Sequence, residues 1–219
     1  MNNAKSKITE MQISKTMENL SKNNMEAYFV HSISDVAATV AGLMNEGDTV
    51  AVGGSETLKQ TGVLDLLRSG KYRFLDRYAT DADSDKIYHE SFFADVYLAS
   101  SNAVTMKGEL YNVDGNSNRV AAILYGPRSV ILVVGCNKIV PDIDSAVRYV
   151  KQVSAPANSV RLDCETYCAS AGFCRGLYNN DITSGCQREG RICCNYVISA
   201  RQRKRGRIKV VIVGEHLGF

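Results

Sequence analysis

Short apolar runs alternate with helix-patterned segments along most of the chain, and no other sequence feature constrains the fold as strongly. TVAV (49–52), DVYLAS (95–100) and SVILVVG (129–135) are typical strands, and each stands next to a segment with helical periodicity. The third run is almost wholly apolar, as expected of a strand that is covered on both faces. Strands that alternate with helices predict an α/β domain with a mainly parallel central sheet flanked by helices.

The two ends of the chain add further elements. The first 24 residues indicate an amphipathic helix whose candidate buried positions are Ile8, Met11, Ile13, Met17 and Leu20. Near the other end, YVISA (196–200) and RIKVVIVG (207–214) flank the basic segment RQRKRG. The simplest interpretation is a hairpin, or two neighbouring strands, with a solvated basic turn.

Length and charge limit the classes of protein that need consideration. A chain of 219 residues is long enough for one domain with a hydrophobic core, and we expect that domain to span residues 1–219. The net charge of +3 is too small to indicate a nucleic-acid or membrane partner, and no apolar run approaches the roughly 20 residues of a membrane span. The polar N-terminus does not match a signal peptide, so we expect a cytoplasmic protein.

A glycine-containing loop separates the strand TVAV from the next helix. It offers four candidate ligand-binding residues: Gly53, Gly54, Ser55 and Thr57. Glycine allows a backbone to approach a ligand closely, and a helix N-terminus favours anions. The spacing matches neither a Walker A loop nor a dinucleotide fingerprint, and tight turns also use Gly and Ser for conformational reasons. The loop is therefore a candidate site for a phosphate or a carboxylate.

A second polar loop, residues 112–119, lies directly ahead of an apolar helix. Its candidate ligand-binding residues are Asn112, Asp114, Gly115, Asn116, Asn118 and Arg119, and Asn102 precedes them. Arg119 could offer a fork to a carboxylate or phosphate. Because ligands of open α/β sheets bind at the carboxyl ends of the strands, the two loops predict one shared pocket. Glu109 and Asp114 are the candidate acids or bases, and a local ion pair would account for Asp76 and Arg77 at the same edge.

Six of the seven cysteines are concentrated in residues 164–194, a segment rich in Gly, Asn and Ser. We expect this segment to form a cysteine-rich insertion at residues 160–195. In the cytoplasm, clustered cysteines indicate metal or redox chemistry more often than stable disulfides. Cys136 follows a buried strand and is expected to be a small core residue.

At these residues the chain resembles the LUD-domain family, also called lactate-utilisation or LutC-like proteins. The resemblance is carried by VAVGGSETLKQTGVLDLLRSGKYRFLDRY, FFADVYLASSNAVTMKGELYNVDGNSNRVAAILYGP, VILVVGCNKIVPDIDSAVRYVKQVSAPAN and GRICCNYVISARQRKRGRIKVVIVGEHLGF. It covers nearly the whole chain from about Met25. It implies a NagB/RpiA/CoA-transferase-like fold, with Asn102 at a position where related isomerases carry an acidic residue.

The resemblance also implies four metal ligands, namely Cys168, Cys174, Cys186 and Cys193. Four thiolates complete the coordination of a [4Fe–4S] cluster or of a tetrahedral zinc ion. Reduced, reversibly oxidised or disulfide-bonded cysteines are the remaining alternative. Since adjacent residues of a strand point to opposite faces, only one of Cys193 and Cys194 is expected to be a ligand.

Together these observations predict a lactate-utilisation-type protein that binds a small anionic metabolite and carries a cysteine-ligated [4Fe–4S] cluster. The resemblance implies electron transfer within an L-lactate oxidation complex, with iron–sulfur proteins as redox partners. The alternative is a sugar-phosphate or CoA-ester enzyme of isomerase or transferase type, whose cysteine loop is held by structural zinc or by disulfides. A non-catalytic regulatory ligand-binding module is a third hypothesis, and a homodimer is a further expectation.

Overall fold

A parallel sheet forms the centre of the molecule. The computed structural model describes residues 3–179 and 181–219. Within these residues six parallel strands make up the central sheet, in the spatial order β1 (Glu26–Val30), β10 (Ile208–Val213), β7 (Ser129–Gly135), β4 (Val96–Ala99), β2 (Thr49–Val52) and β3 (Arg73–Leu75). The predicted α/β fold with a parallel central sheet is confirmed.

Helices flank this sheet. In chain order the described helices are α1 (Asn3–Lys22), α2 (Val36–Ala41), α3 (Glu56–Gln60), α4 (Val63–Leu67), α5 (Ser84–Glu90), α6 (Asn118–Leu124), α7 (Ile143–Tyr149), α8 (Ala155–Arg161) and α9 (Tyr167–Ala171). A π-helical turn, Val150–Ser154, joins α7 to α8. None of the described helices combines the length and the apolar character needed to cross a bilayer.

Strand β7 shows why the sheet is buried on both faces. Leu132 and Val134 belong to a core cluster that includes residues of α1 and α6. Ile131 and Val133 belong to the opposite cluster, which includes residues of α2, α3 and α4. Successive side chains of a strand point to opposite faces, so the run VILVV (130–134) within β7 is apolar at every position.

A smaller, mixed sheet lies beside the central one and was not predicted. Its spatial order is β8 (Ile139–Val140), β5 (Ala103–Thr105), β6 (Leu110–Asp114) and β9 (Asn195–Ser199). Strand β6 runs antiparallel to both β5 and β9. Its Tyr111 and Val113 pack with Ala146 of α7 and Val150 of the π-helical turn in a third core cluster.

The two last strands belong to different sheets, so the predicted hairpin or neighbouring pair is wrong. Strand β9 pairs with β6, whereas β10 is inserted between β1 and β7. The basic connection is also more than a solvated turn. The Arg207 guanidinium donates to the carbonyl oxygens of Ala122 (3.1 Å), Ile123 (2.6 Å) and Pro127 (3.0 Å), at and just beyond the end of α6.

Helix α1 is buried along only part of the predicted face. Ile13 and Leu20 are buried, whereas Ile8 and Met11 are 54% and 60% exposed. The interruption predicted near Gly62 is confirmed, because Gly62 separates α3 from α4 with a φ of 67°. That left-handed angle is available to glycine without steric strain.

The carboxyl ends of four adjacent strands create the main concave edge of the described structure. Strands β7, β4, β2 and β3 are neighbours and run parallel, so the residues that follow them meet at one edge. These residues are the turn Cys136–Lys138 after β7, Ser100 after β4, Gly54 to Thr57 after β2, and Arg77 after β3.

Candidate functional site

A cavity of about 350 Å³ opens at this edge of the sheet. Both predicted loops line it, through Gly54, Ser55, Thr57, Asn102, Asp114, Gly115, Asn116, Asn118 and Arg119. Its volume falls in the lower part of the range for small-molecule sites. The structure therefore brings the two predicted loops together around one pocket.

Lys138 is the most deeply buried cation of this pocket. The residue lies in the turn after β7 and is 3% exposed. Its Nζ donates to Ser100 Oγ (3.0 Å) and Thr57 Oγ1 (3.2 Å). Burial away from water, together with the positive charge of Arg119, lowers the pKa of Lys138 to about 7. The amine therefore has accessible protonated and neutral forms near neutral pH.

Arg77 supplies a second cation to the pocket wall. Its Nη2 donates to the Tyr88 hydroxyl (2.6 Å), and its guanidinium lies 4.7 Å from the centre of the Tyr88 ring. The predicted local ion pair with Asp76 is wrong, because the Asp76 carboxylate accepts from Arg68 Nε at 2.8 Å. Within the described residues Arg77 has no carboxylate partner, so its charge can face a ligand.

Arg161 forms a polar connection beside the same pocket. Its Nη1 lies 3.5 Å from Glu56 Oε1, and its Nε and Nη2 donate to Asn158 Oδ1 at 3.0 and 2.6 Å. The ion pair links the end of α8 to the first residue of α3. Because α3 has only five residues, we assign the positive character of the pocket to its side chains and not to a helix dipole.

Arg119 is committed to contacts within the protein. Its N–H groups donate to five acceptors at the end of β4 and on β6: Asp114 Oδ1, Asn112 Oδ1, Asn102 Oδ1 and the carbonyl oxygens of Ser100 and Val113. A guanidinium has five N–H donors in all. The predicted fork to a ligand is therefore not free in this structure. Arg119 acts as a positioning residue that fixes the pocket wall and contributes charge at a distance.

A second cavity, of about 20 Å³, lies beside the first. Four cysteines line it, and they are the four implied as metal ligands: Cys168, Cys174, Cys186 and Cys193. Cys194 is exposed, so of the adjacent pair only Cys193 faces the cavity. Burial raises the pKa of the Cys193 thiol to about 12, and the other three thiols contribute in the same direction.

The four thiols share this cavity without forming a metal site. Within residues 3–179 and 181–219 no group of three or more His, Cys, Asp or Glu side chains is close enough together to hold an ion. All seven cysteines lie in these ranges and are free thiols. The donor set, four sulfurs, suits zinc or iron.

Two cations, one of them buried, hold the cysteine segment in place. Lys151 is 5% exposed, and its Nζ donates to the carbonyl oxygens of Gly176 (3.1 Å) and Asp181 (2.8 Å). Arg191 donates to four oxygens of the segment, namely the carbonyls of Thr183, Cys186 and Cys193 and the Tyr196 hydroxyl. Hydrogen bonds from two cations therefore supply order where apolar residues are few.

The two cavities are neighbours. Ile192 lines both of them. The end of β6 also lies between the two cavities. Cys194 N donates to Asp114 O (2.9 Å), and a Cβ on Gly115 would lie 3.5 Å from Ile192 Cα. A ligand in the larger pocket would therefore lie one residue away from the cysteine cavity.

Comparison with protein families identifies the chain. The profile described as the LUD domain matches residues 13–213, which is most of its length. The chain belongs to the LUD-domain family. This membership confirms the resemblance found in the sequence. The family is of the lactate-utilisation type. No curated protein sequence matched this LUD-domain protein.

Two solved structures are similar to this LUD-domain protein. One is a DUF162 family protein from Deinococcus radiodurans, with a TM-score of 0.46 and 15% identity over 95% of this chain and 98% of that chain. The other is eIF2B beta from Chaetomium thermophilum, with a TM-score of 0.36 and 16% identity over 49% of this chain and 39% of that chain.

Three sequence-predicted residues lie away from the pocket of this LUD-domain protein. Gly53 is covered, because a Cβ there would lie 3.1 Å from the Tyr97 hydroxyl. Asn112 is fully buried beneath Arg119. Glu109 directly precedes β6 and accepts from Thr105 Oγ1 (2.8 Å), whereas the pocket lies at the other end of that strand.

Asp114, the other candidate acid or base, lines the pocket but is already engaged. Its carboxylate is paired with Arg119 at 2.6 Å and also accepts from Val120 N at 3.0 Å. Both carboxylate oxygens are therefore engaged within the protein, Oδ1 by Arg119 and Oδ2 by the backbone of α6. We assign Asp114 to the pocket wall.

Sequence reasoning overlooked Lys138 as a pocket residue. A lysine in the turn after a strand buried on both faces stands where ligands of parallel sheets bind. That position was the available signal. Arg161 and Lys151 carried no comparable signal, because their partners are distant in sequence.

Proposed function

We propose that this LUD-domain protein binds a small anionic metabolite in the pocket of about 350 Å³. The proposal depends on one observation: Arg77 and Lys138 line the pocket and, within the described residues, have no carboxylate partner. The other two cations, Arg119 and Arg161, are ion-paired. A carboxylate or phosphate supplies the missing negative charge.

Pocket size favours a small ligand. A volume of about 350 Å³ suits a hydroxy acid, an oxo acid or a small sugar phosphate better than an entire CoA ester. Family membership makes L-lactate the first ligand to test. An anion bound beside Lys138 stabilises its ammonium form, so we expect binding to be accompanied by proton uptake near neutral pH.

A thermal-shift screen tests this proposal. The ligands are sulfate, L-lactate, ribose 5-phosphate and acetyl-CoA. We expect a small anion to raise the melting temperature of the wild-type protein, and Arg77→Gln to remove most of that shift. Arg73→Gln is the matched control, because Arg73 is an exposed arginine at the start of the strand that precedes Arg77 and does not line the pocket. An undiminished shift in both Arg77→Gln and Lys138→Met would refute binding at this site.

We also propose that Cys168, Cys174, Cys186 and Cys193 hold a metal centre. The supporting observation is that these four thiols, and neither Cys164 nor Cys194, line one cavity. Such a centre would be a [4Fe–4S] cluster or a zinc ion, and it would cross-link a segment that has little apolar core of its own. A cavity of about 20 Å³ has room for roughly one water-sized particle, so a single ion requires less rearrangement than a cluster.

Anaerobic purification followed by metal analysis and an absorption spectrum separates these forms. Iron with sulfide and a broad visible absorbance identifies a cluster, and stoichiometric zinc without colour identifies a structural ion. The metal proposal would be refuted if anaerobically purified protein had all seven thiols titratable and bound no metal after reconstitution, whether with iron and sulfide or with zinc. That outcome would leave the anion pocket untouched.

A further inference from the structure

We propose that Lys138 forms a Schiff base with a small oxo acid bound in the anion pocket. This inference rests on the proposed function, since the acid group must be held in the same pocket. It adds a covalent step and narrows the ligand class to anions that carry an aldehyde or ketone.

Position and partners make Lys138 suitable for this step. Lys138 lines the pocket beyond the carboxyl end of β7, and its Nζ donates to two hydroxyl groups, on Thr57 and Ser100. A lysine held by a carboxylate would be fixed as an ammonium. Here burial and Arg119 favour the neutral amine, which is the nucleophilic form.

The reaction balances without any other reactant. The neutral Lys138 nitrogen adds its lone pair to the carbonyl carbon, and the carbonyl oxygen takes up a proton. The resulting carbinolamine loses that oxygen as water and becomes the imine. The hydroxyls of Thr57 and Ser100 lie 3.2 and 3.0 Å from Nζ, so they can carry a proton from the nitrogen towards the departing oxygen.

Arg77 gives the reaction its preference for an acid. It is the other cation of the pocket wall without a carboxylate partner in the described residues. A carboxylate held there would keep the adjacent carbonyl within the pocket and increase its effective concentration at Lys138. An uncharged aldehyde of the same size lacks this contact.

Lys151 provides an internal comparison within the same chain. It is also buried, at 5% exposed against 3% for Lys138. Its Nζ, however, donates to two backbone carbonyls in the cysteine segment, and it does not line the anion pocket. Burial lowers the pKa of both lysines, whereas the proposal makes only Lys138 reactive towards an oxo acid.

Reductive trapping tests the proposal directly. The protein is incubated with glyoxylate and sodium cyanoborohydride, which delivers hydride to the imine and leaves a stable carboxymethyl group on the lysine. Peptide mass mapping then gives the labelling rate of each lysine. We expect Lys138 to be labelled at least about tenfold faster than Lys151. Equal rates for the two lysines would overturn the proposal.

Two further measurements establish the role of the acid group. Glycolaldehyde differs from glyoxylate by an alcohol in place of the carboxylate, and we expect it to label Lys138 more slowly. Arg77→Gln should remove this difference while leaving the slow reaction with glycolaldehyde. Sulfate should slow glyoxylate labelling of the wild-type protein. Glyoxylate labelling of Lys138 that neither sulfate nor Arg77→Gln reduces would show that the acid is not held as proposed.

The outcomes separate this inference from the proposed function. Sulfate binding to the wild-type protein without labelling of Lys138 would overturn the Schiff base and leave the anion pocket standing. No stabilisation by any small anion, together with no labelling of Lys138, would overturn both.

Discussion

Replacing Lys138 with methionine should change how stability depends on pH. Methionine has a similar length and fills the same buried space without a charge. In the folded protein the pKa of Lys138 is about 7, whereas an unfolded lysine titrates at about 10.4. Between these values the unfolded chain binds one proton more than the folded chain, so the free energy of unfolding rises with pH. Below about pH 7 both states are protonated and the full penalty of burying the charge is present.

The size of the effect follows from the two pKa values. Between about pH 6 and about pH 9, this single group should raise the free energy of unfolding of the wild-type protein by about 3 kcal/mol. Lys138→Met lacks that contribution. The substitution also removes two hydrogen bonds, to Thr57 and Ser100, so the test is the change in stability between the two pH values and not the stability of the variant at either one.

Urea unfolding of both proteins at the two pH values measures the difference. We expect the stability difference between variant and wild type to shift by about 3 kcal/mol in favour of Lys138→Met as the pH is lowered from about 9 to about 6. Other titrating groups are common to both proteins and cancel. Parallel pH profiles for the two proteins would refute the claim that Lys138 is a buried amine with a lowered pKa.

Three other substitutions test the surrounding structure. Arg119→Met leaves the Asp114 carboxylate without its charged partner, and urea unfolding should show a loss of about 3–5 kcal/mol; a loss below about 1 kcal/mol would contradict the positioning role. Cys193→Ser should lower the metal content after anaerobic reconstitution while Cys194→Ser should not, and equal metal content in the two variants would contradict the assignment of Cys193. Arg191→Lys keeps the charge but loses the planar set of donors that contacts several carbonyl oxygens, so limited proteolysis within residues 175–190 should become faster. An unchanged rate of proteolysis would contradict the role of Arg191 in ordering the cysteine segment.

The central sheet was accessible to sequence reasoning because its strands are buried on both faces. The five consecutive apolar residues VILVV (130–134) contribute to both core clusters, and such a run is a strong local signal. Which strands pair with one another was harder to predict from the sequence. YVISA has a strand pattern, but only tertiary packing decides that it joins β6 and leaves β10 to the central sheet.

The shared pocket was predicted from the rule that parallel strands deliver their following loops to one edge. Ser55 follows β2 of the parallel sheet, as the rule requires, whereas Asn116 follows β6 of the smaller sheet, which runs antiparallel to both of its neighbours. The rule therefore accounts for only one of the two loops. The rule could not show which acceptors the side-chain donors contact. The N–H groups of Arg119 are consumed by acceptors on two strands, a fact that depends on the relative placement of β4 and β6.

Individual buried cations were the least predictable part of the site. Lys138 and Lys151 stand in ordinary sequence surroundings, and each differs from a surface lysine only because distant segments cover it. The grouping of four cysteines came from family resemblance. Lys151 and Arg191 line the cavity that the four cysteines share, and the contacts of Lys151 reach residues 25 and 30 positions further along the chain.

Calorimetric titration with sulfate tests anion binding at Arg77 and Lys138 most directly, because sulfate remains fully ionised between about pH 6 and pH 9 while Lys138 titrates. The titration is run at about pH 7.5 in two buffers of different ionisation enthalpy, which gives the number of protons taken up on binding. We expect the wild-type protein to bind sulfate with uptake of a substantial fraction of one proton, and Lys138→Met to show none. Absence of binding, or binding without proton uptake by the wild-type protein, would contradict an anion site at Lys138.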